Sequence, residues 1–392
     1  MTDDSRQRPK RLFPVFGRLN RAFRRILRLL ARPARGDSGR GGIVVQPYRG
    51  FGSPAEIFLM GRVFRQESRG SAAGKPPLLR DIIDLLRRLI RRGVAHAVLE
   101  VRFSGTSQQV TTNARGHFQV HLRHQRQNPS ERLWHPVRLE LIRPTGARPA
   151  VGKIFIPPQK ARFVVISDID DTVVFTGVAN KLKMVWRLFM QKAQSRAAFP
   201  GVASFYRALH SGASGDEMNP MLYVSRGPWS IYEMLDEFFN FHGIPVGPIL
   251  FLRDWSLAIY RPFPPRARGH KLALIQHMLS LYRDLPFILI GDSGQKDPEI
   301  YARVVRRHPG RVLAVYIRNI ERDPMRNRAV EKLAGEVAEA GSTLLLASDS
   351  FDMASHAAAR GFISPSALSE VLKEATLSPV REGRAEQPLP EA

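Results

Sequence analysis

Phe163-Val164-Val165-Ile166-Ser167-Asp168-Ile169-Asp170-Asp171-Thr172 is the stretch that decides how this chain is read. Its first five residues are apolar or small at every position, without the in/out alternation of a half-exposed strand. Such a run belongs in a sheet covered on both faces, and its β-branched residues fit a strand. Similar runs recur at 221–224, 249–252, 287–290, 312–317 and 343–347. Helical spacing fills most of the gaps, at 202–210, 230–242, 270–282, 298–308 and 330–340. Alternation of this kind predicts an α/β fold with a parallel sheet, whose ligand site lies at the carboxyl ends of the strands. Polar residues stand after the runs: Asp168, Ser225, Asp254, Asp292 and Asp349.

Carboxylates at a strand tip, two residues apart and followed by a threonine, suit in-line phosphoryl transfer. Asp168 is the candidate nucleophile, because a covalent intermediate splits one difficult displacement into two. Asp170 is the candidate acid and base for the leaving alcohol and the incoming water, and Thr172 a candidate substrate contact. An attacking carboxylate needs a nearby cation, and Mg2+ held by oxygens supplies it. Asp292, in Gly291-Asp292-Ser293-Gly294-Gln295-Lys296-Asp297, is placed to ligate that metal, with Asp297 orienting its neighbours. Ser225 and the backbone after it can hold phosphate oxygens at a helix start, and Lys271 adds the cationic charge that stabilises the transferring group. Taken singly, each aspartate also reads as a helix cap or turn residue, and that is the reading adopted for Asp171, Asp254 and Asp349. The histidines His210, His242, His270 and His277 show no metal-ligand spacing.

In this order and spacing the pieces resemble the haloacid dehalogenase superfamily of phosphatases, over roughly 163–362. The motifs Asp168-Ile169-Asp170-Asp171-Thr172, Tyr223-Val224-Ser225, Pro228-Trp229, His270-Lys271 and the segment 290–301 are similar to the actin-patch-protein family of magnesium-dependent phosphatidate phosphatases. The resemblance implies a Rossmannoid catalytic domain of the haloacid dehalogenase type. It also implies metal ligation by the side chains of Asp168 and Asp292 and the backbone carbonyl of Asp170, and phosphate binding by Ser225 and Lys271. The family loop usually reads Ser-x-Ser-Pro-Trp. Here it is Ser225-Arg226-Gly227-Pro228-Trp229, so a hydroxyl is missing at Gly227 and Arg226 brings a charge to the substrate side.

Outward from this core the chain divides. Residues 159–376 form the expected phosphatase domain and 377–392 a flexible tail. Residues 42–158 alternate like strands, for example Ala97-Val98-Leu99-Glu100-Val101-Arg102-Phe103, with helical spacing inserted at 78–92. A smaller β-sandwich-like domain is expected there, and 110–120 resembles a transthyretin-like turn and strand. Residues 1–41 are arginine-rich. Leu12, Val15, Phe16, Leu19, Phe23, Ile26, Leu27 and Leu30 recur at helical spacing opposite Arg18, Arg21, Arg25, Arg28 and Arg32. That pattern suits a basic helix at a membrane interface, a helix docked on the protein's own core, or a transit peptide.

Composition bounds the chemistry. Among 392 residues there is no cysteine, which removes disulfides and thiol nucleophiles. The 60 Lys and Arg against 35 Asp and Glu give a formal charge of +25, which favours polyanionic partners. No apolar run reaches the ~18 residues needed to span a bilayer. A cytoplasmic enzyme, peripheral at an anionic membrane and acting on a phospholipid, is expected. Only 178–200 separates the first motif from the next helix, which favours an open site over a lidded one. The apolar stripe Leu182, Val185, Trp186, Phe189 and Met190 in that stretch suits core packing or the surface around such a site. The same chemistry on a soluble phosphomonoester is the alternative. A nucleic-acid-binding role leaves the carboxylates unexplained and lacks a recognisable module.

Overall fold

The computed structural model describes residues 42–65, 91–125, 131–169, 199–227, 229–252, 270–320 and 323–377. The arginine-rich segment, most of the helical insert, Asp170, Asp171, Thr172, the stripe Leu182 to Met190 and Asp254 lie outside these residues, as does the tail from 378.

The second sheet is built from β9 (Val164–Asp168), β10 (Met221–Ser225), β11 (Ile249–Phe251), β12 (Phe287–Asp292), β13 (Val312–Arg318) and β14 (Leu344–Ala347). All five pairings are parallel, in the order β11-β10-β9-β12-β13-β14. Counted along the chain this is 3-2-1-4-5-6, the doubly wound order, and the direction of winding reverses between β9 and β12.

The period of two along β9 sorts its side chains between two layers. Val165 joins the cluster formed with α1 (Val202–Ser211), α2 (Tyr232–His242), α6 (Ser350–Ala359) and α7 (Ala367–Leu377). Val164 and Ile166 face the cluster formed with α3 (His270–Leu281), α4 (Asp297–Arg307) and α5 (Pro324–Glu339). All three are fully buried, which stabilises the sheet by roughly 2 kcal/mol each. The parity that sends Val164 and Ile166 toward α3 and α4 sends Asp168 there too. Ser167 points the other way, and its hydroxyl meets that of Tyr206 on α1 at 2.6 Å.

The α/β expectation is borne out, with differences at element ends. The stretch predicted as one helix over 230–242 opens with a 3-10 turn, Trp229–Ile231, before α2. The helix predicted over 330–340 starts earlier, at Pro324, because the Asp323 side chain accepts from Met325 N–H and Pro324 sits where no amide is needed. Asp349 caps α6 by accepting from the amides of Phe351 and Asp352, so its capping role holds.

The described residues within 42–158 carry eight strands in one hydrogen-bonded sheet. They are β1 (Ile43–Pro47), β2 (Gly50–Gly52), β3 (Glu56–Arg65), β4 (Val98–Phe103), β5 (Thr106–Thr111), β6 (His117–Arg123), β7 (Trp134–Arg143) and β8 (Ala150–Phe155). Pairing is antiparallel except between β2 and β8. Inward residues of β3, β4, β6 and β7 share one core, so the sheet wraps around a single apolar interior. Its aromatic edge, Tyr48, Phe51 and Phe58, packs into the two clusters of the parallel sheet.

Candidate active site

At the reversal between β9 and β12 the strands end in Asp168 and Asp292, both fully buried. Lys271, in the first turn of α3, donates to Asp168 Oδ1 at 2.9 Å and to Asp297 Oδ1 at 2.6 Å. Its ammonium lies 5.3 Å from the centroid of the Tyr301 ring. Burial alone would depress the Lys271 pKa, but the carboxylates of Asp168 and Asp297 outweigh it and hold the ammonium well above its ordinary value.

Asp297 opens α4, where its charge complements the helix N-terminus. It reaches the strand only because residue 291 has no side chain. A Cβ there would sit 2.3 Å from Asp297 Oδ2. That oxygen lies 3.4 Å from the Asp292 amide, so both oxygens of Asp297 are engaged by donors of the protein.

Asp168, Asp292 and Asp297 each offer an oxygen within 4.8 Å of the others. Oxygen-only donors suit a hard cation such as Mg2+. The charges fit as well: three buried carboxylates face one buried ammonium, and a divalent cation would balance the remainder. Asp297 is held by Lys271 and the Asp292 amide, and Asp168 shares the same lysine.

Ser225 ends β10 beside Asp168, whose register partner is Val224. Its carbonyl accepts from Leu252 N–H at 2.9 Å and its Oγ accepts from Gly227 N–H at 3.0 Å, so the hydroxyl proton can go to another acceptor. Arg226 comes next, half-buried. Gly227 is there for space: a Cβ would meet Ile231 Cδ1 at 2.4 Å, so Ile231 occupies the place of the hydroxyl found in the family loop. His270 bonds the Leu252 carbonyl at 3.1 Å, anchoring the start of α3 to the end of β11.

The structure thus gathers Asp168, Lys271, Asp292 and Asp297 at one point and sets the end of β10, with Ser225, beside them. Two contributors were not expected from sequence. Gln295 Nε2 donates to Asp292 Oδ2 at 3.0 Å and lies 3.4 Å from Asp168 Oδ2, bridging the two strands. Arg326 on α5 donates to the carbonyls of Ser293 and Gln295, both at 2.7 Å, and ties that loop to Glu299. The place of Gln295 between Asp292 and Asp297 was a usable signal. Arg326 comes from a separate helix, and no local pattern marks it.

Fold and site together define a doubly wound α/β domain with a buried, lysine-linked carboxylate cluster at its switch point. Residues 163–319 match the family model described as the catalytic domain of phosphatidate phosphatase APP1. The family resemblance read from the motifs is borne out. Phosphatidate phosphatase APP1 of Saccharomyces cerevisiae is 35% identical over 156 residues, 39% of this chain and 25% of that protein. An uncharacterized protein of Schizosaccharomyces pombe is 29% identical over 160 residues, 41% of this chain and 25% of its own length. The chain therefore spans about a quarter of the length of these relatives. Among solved structures, a carbohydrate acetylesterase from Xanthomonas citri aligns over 74% of this chain and 72% of its own at 11% identity. Its TM-score of 0.24 is too low to carry over fold or chemistry.

Proposed function

We propose that the chain is a Mg2+-dependent phosphatase of the haloacid dehalogenase type that hydrolyses phosphatidate to diacylglycerol and phosphate through an aspartyl-phosphate on Asp168. The observation that carries this reading is the convergence of Asp168, Asp292 and Lys271 at the switch point of the parallel sheet. Asp168 and Asp292, with the backbone carbonyl of Asp170, would hold the metal, which when bound neutralises phosphate charge. A carboxylate oxygen of Asp168 attacks phosphorus. As the bond to the glycerol oxygen breaks, Asp170 gives its proton to that oxygen. Water then attacks the phosphoryl group, passes a proton to Asp170, and the Asp168 carboxylate is restored. Lys271 keeps Asp168 oriented and ionised, while Ser225, Arg226 and Thr172 contact the phosphate and what it bears.

The 35% identity over 156 residues with the yeast phosphatidate phosphatase, together with the family-model match over 163–319, favours a phospholipid. The basic segment 1–41 would supply contact with the anionic membrane, and residues 42–158 are read as a sandwich-like domain beside the catalytic one. Among the described residues no helix is long and apolar enough to cross a membrane.

The test is phosphate release by the purified full chain with Mg2+, from phosphatidate in mixed micelles and from a panel of soluble phosphomonoesters. Phosphatidate should be preferred and Asp168→Asn should release nothing, since an amide cannot form the acyl phosphate. Retained turnover by Asp168→Asn would overturn the mechanism. Preference for a soluble ester would move the substrate.

A further inference from the structure

We infer that the β-rich domain is a positioning part of the active site: Tyr48, stacked on Trp229, holds the Ser225 to Trp229 loop in its phosphate-binding shape. The inference rests on the proposed phosphatase reading and assigns a task to a domain that carries no part of the carboxylate cluster.

Trp229 closes the loop four residues after Ser225 and is 5% exposed. On one side its ring meets Phe251, centroid to centroid 4.6 Å. Phe251 is the register partner of Ser225 on the neighbouring strand, so this contact ties the far end of the loop to its beginning. On another side lies Tyr48, 5.0 Å away and only 13° from parallel. A column of rings therefore runs from the β-rich sheet through the loop into the parallel sheet. Offset stacking has a preferred geometry, so a ring pair fixes orientation as well as distance.

Other contacts dock the same segment on α2. Tyr48 also packs on Tyr232 at 4.2 Å, and the Tyr232 hydroxyl accepts from Arg49 N–H at 2.9 Å. One residue further along α2, Glu233 Oε1 accepts from Gln46 at 2.7 Å and from Arg91 at 2.6 Å, and Asp236 pairs with Arg49. Tyr48 thus meets the loop, while Gln46 and Arg49 hold the first two turns of α2. The seam leaves a cleft of about 20 Å³ beside Tyr48, Phe51, Met60, Trp229 and Leu250. That is room for about one water, as at a packed joint.

The loop supplies phosphate contacts through Ser225, and misplacing such a group by about 1 Å can cost on the order of 10² in rate. The experiment compares Tyr48→Leu, Tyr48→Phe and Gln46→Ala in the full chain with Mg2+. Its readouts are p-nitrophenyl phosphate turnover, the inhibition constant of inorganic phosphate, and the melting temperature. Tyr48→Leu keeps apolar volume but loses the ring, and kcat/KM should fall roughly 10- to 100-fold with weakened phosphate inhibition at a temperature where it is folded. Tyr48→Phe should restore both. Gln46→Ala loosens the docking without touching the stack, so it should leave phosphate inhibition as in wild type. Wild-type turnover and inhibition in Tyr48→Leu would overturn the inference alone and leave the phosphatase reading intact. So would equal losses in Gln46→Ala and Tyr48→Leu, which would make docking in general the cause. A wild-type chain inactive on every phosphate ester would overturn both.

Discussion

Lys271 is the residue on which the buried charges balance. It is 3% exposed and touches two carboxylates that are fully buried, so it cannot be removed without leaving negative charge in a poorly solvated place. Breaking a buried pair in this way typically costs about 3–5 kcal/mol, and losing a preorganised cation at developing charge costs on the order of 10²–10³ in rate. Lys271→Met should therefore lower the urea midpoint of the metal-free chain and nearly abolish phosphate release. Added Mg2+ should recover part of the stability and little of the rate. An unchanged midpoint would mean that the carboxylates are not both ionised beside it. Motif order pointed to this residue, as it did to Asp168 and Asp292, because strand-end carboxylates and a helix-start lysine are local patterns. The bridge by Gln295 and the tether from Arg326 depend on loop shape and on packing between α5 and the site, which no short window contains.

Among the elements, those buried on both faces were the most legible. Uninterrupted Val, Leu and Ile runs admit few alternatives, so β9, β10 and β12 fall where the runs fall. Elements whose burial is partial were less so. Helix α7 and the polar edge strand β5, Thr-Ser-Gln-Gln-Val-Thr, take their structure from neighbours more than from their own periodicity. The amphipathic pattern in residues 1–41 is read from sequence alone, and its proposed contact with lipid is tested by deletion. Each basic residue near an anionic surface contributes on the order of 1 kcal/mol, an attraction that salt screens. A chain beginning at residue 42 should therefore co-sediment poorly with phosphatidate-containing vesicles, with the largest deficit at low salt. Turnover of a soluble phosphate ester should persist, since Asp168, Asp170, Ser225, Lys271 and Asp292 all remain. Equal vesicle binding by the two chains would show that this segment does not anchor the protein.

At the scale of the whole molecule, the joint between the two sheets carries its own titratable group. His277 lies on α3, the helix that presents Lys271, and its ring meets Phe58 edge-on at 5.3 Å with Phe51 at 6.5 Å. Burial against these rings pushes its pKa down to about 4, with nearby Glu56 opposing the shift and His121 adding to it. The unfolded chain takes up this proton near the ordinary value of about 6.5. Between about 6.5 and about 4 the unfolded state is therefore the more protonated, and folding stability falls as the pH falls through that window. Because the imidazole is only half-buried, the loss is discounted to about 1–2 kcal/mol. His277→Phe keeps an aromatic ring against Phe51 and Phe58 and removes the titration. Melting temperatures of wild type and His277→Phe at pH 7 and pH 5 isolate the effect, since the other carboxylates and histidines contribute to both proteins alike. Wild type should lose about 1–2 °C more than the variant on acidification, given the usual change of melting temperature with stability for a chain of this size. Equal losses would mean that the seam takes up the proton without strain, and that acid destabilisation of this protein begins elsewhere.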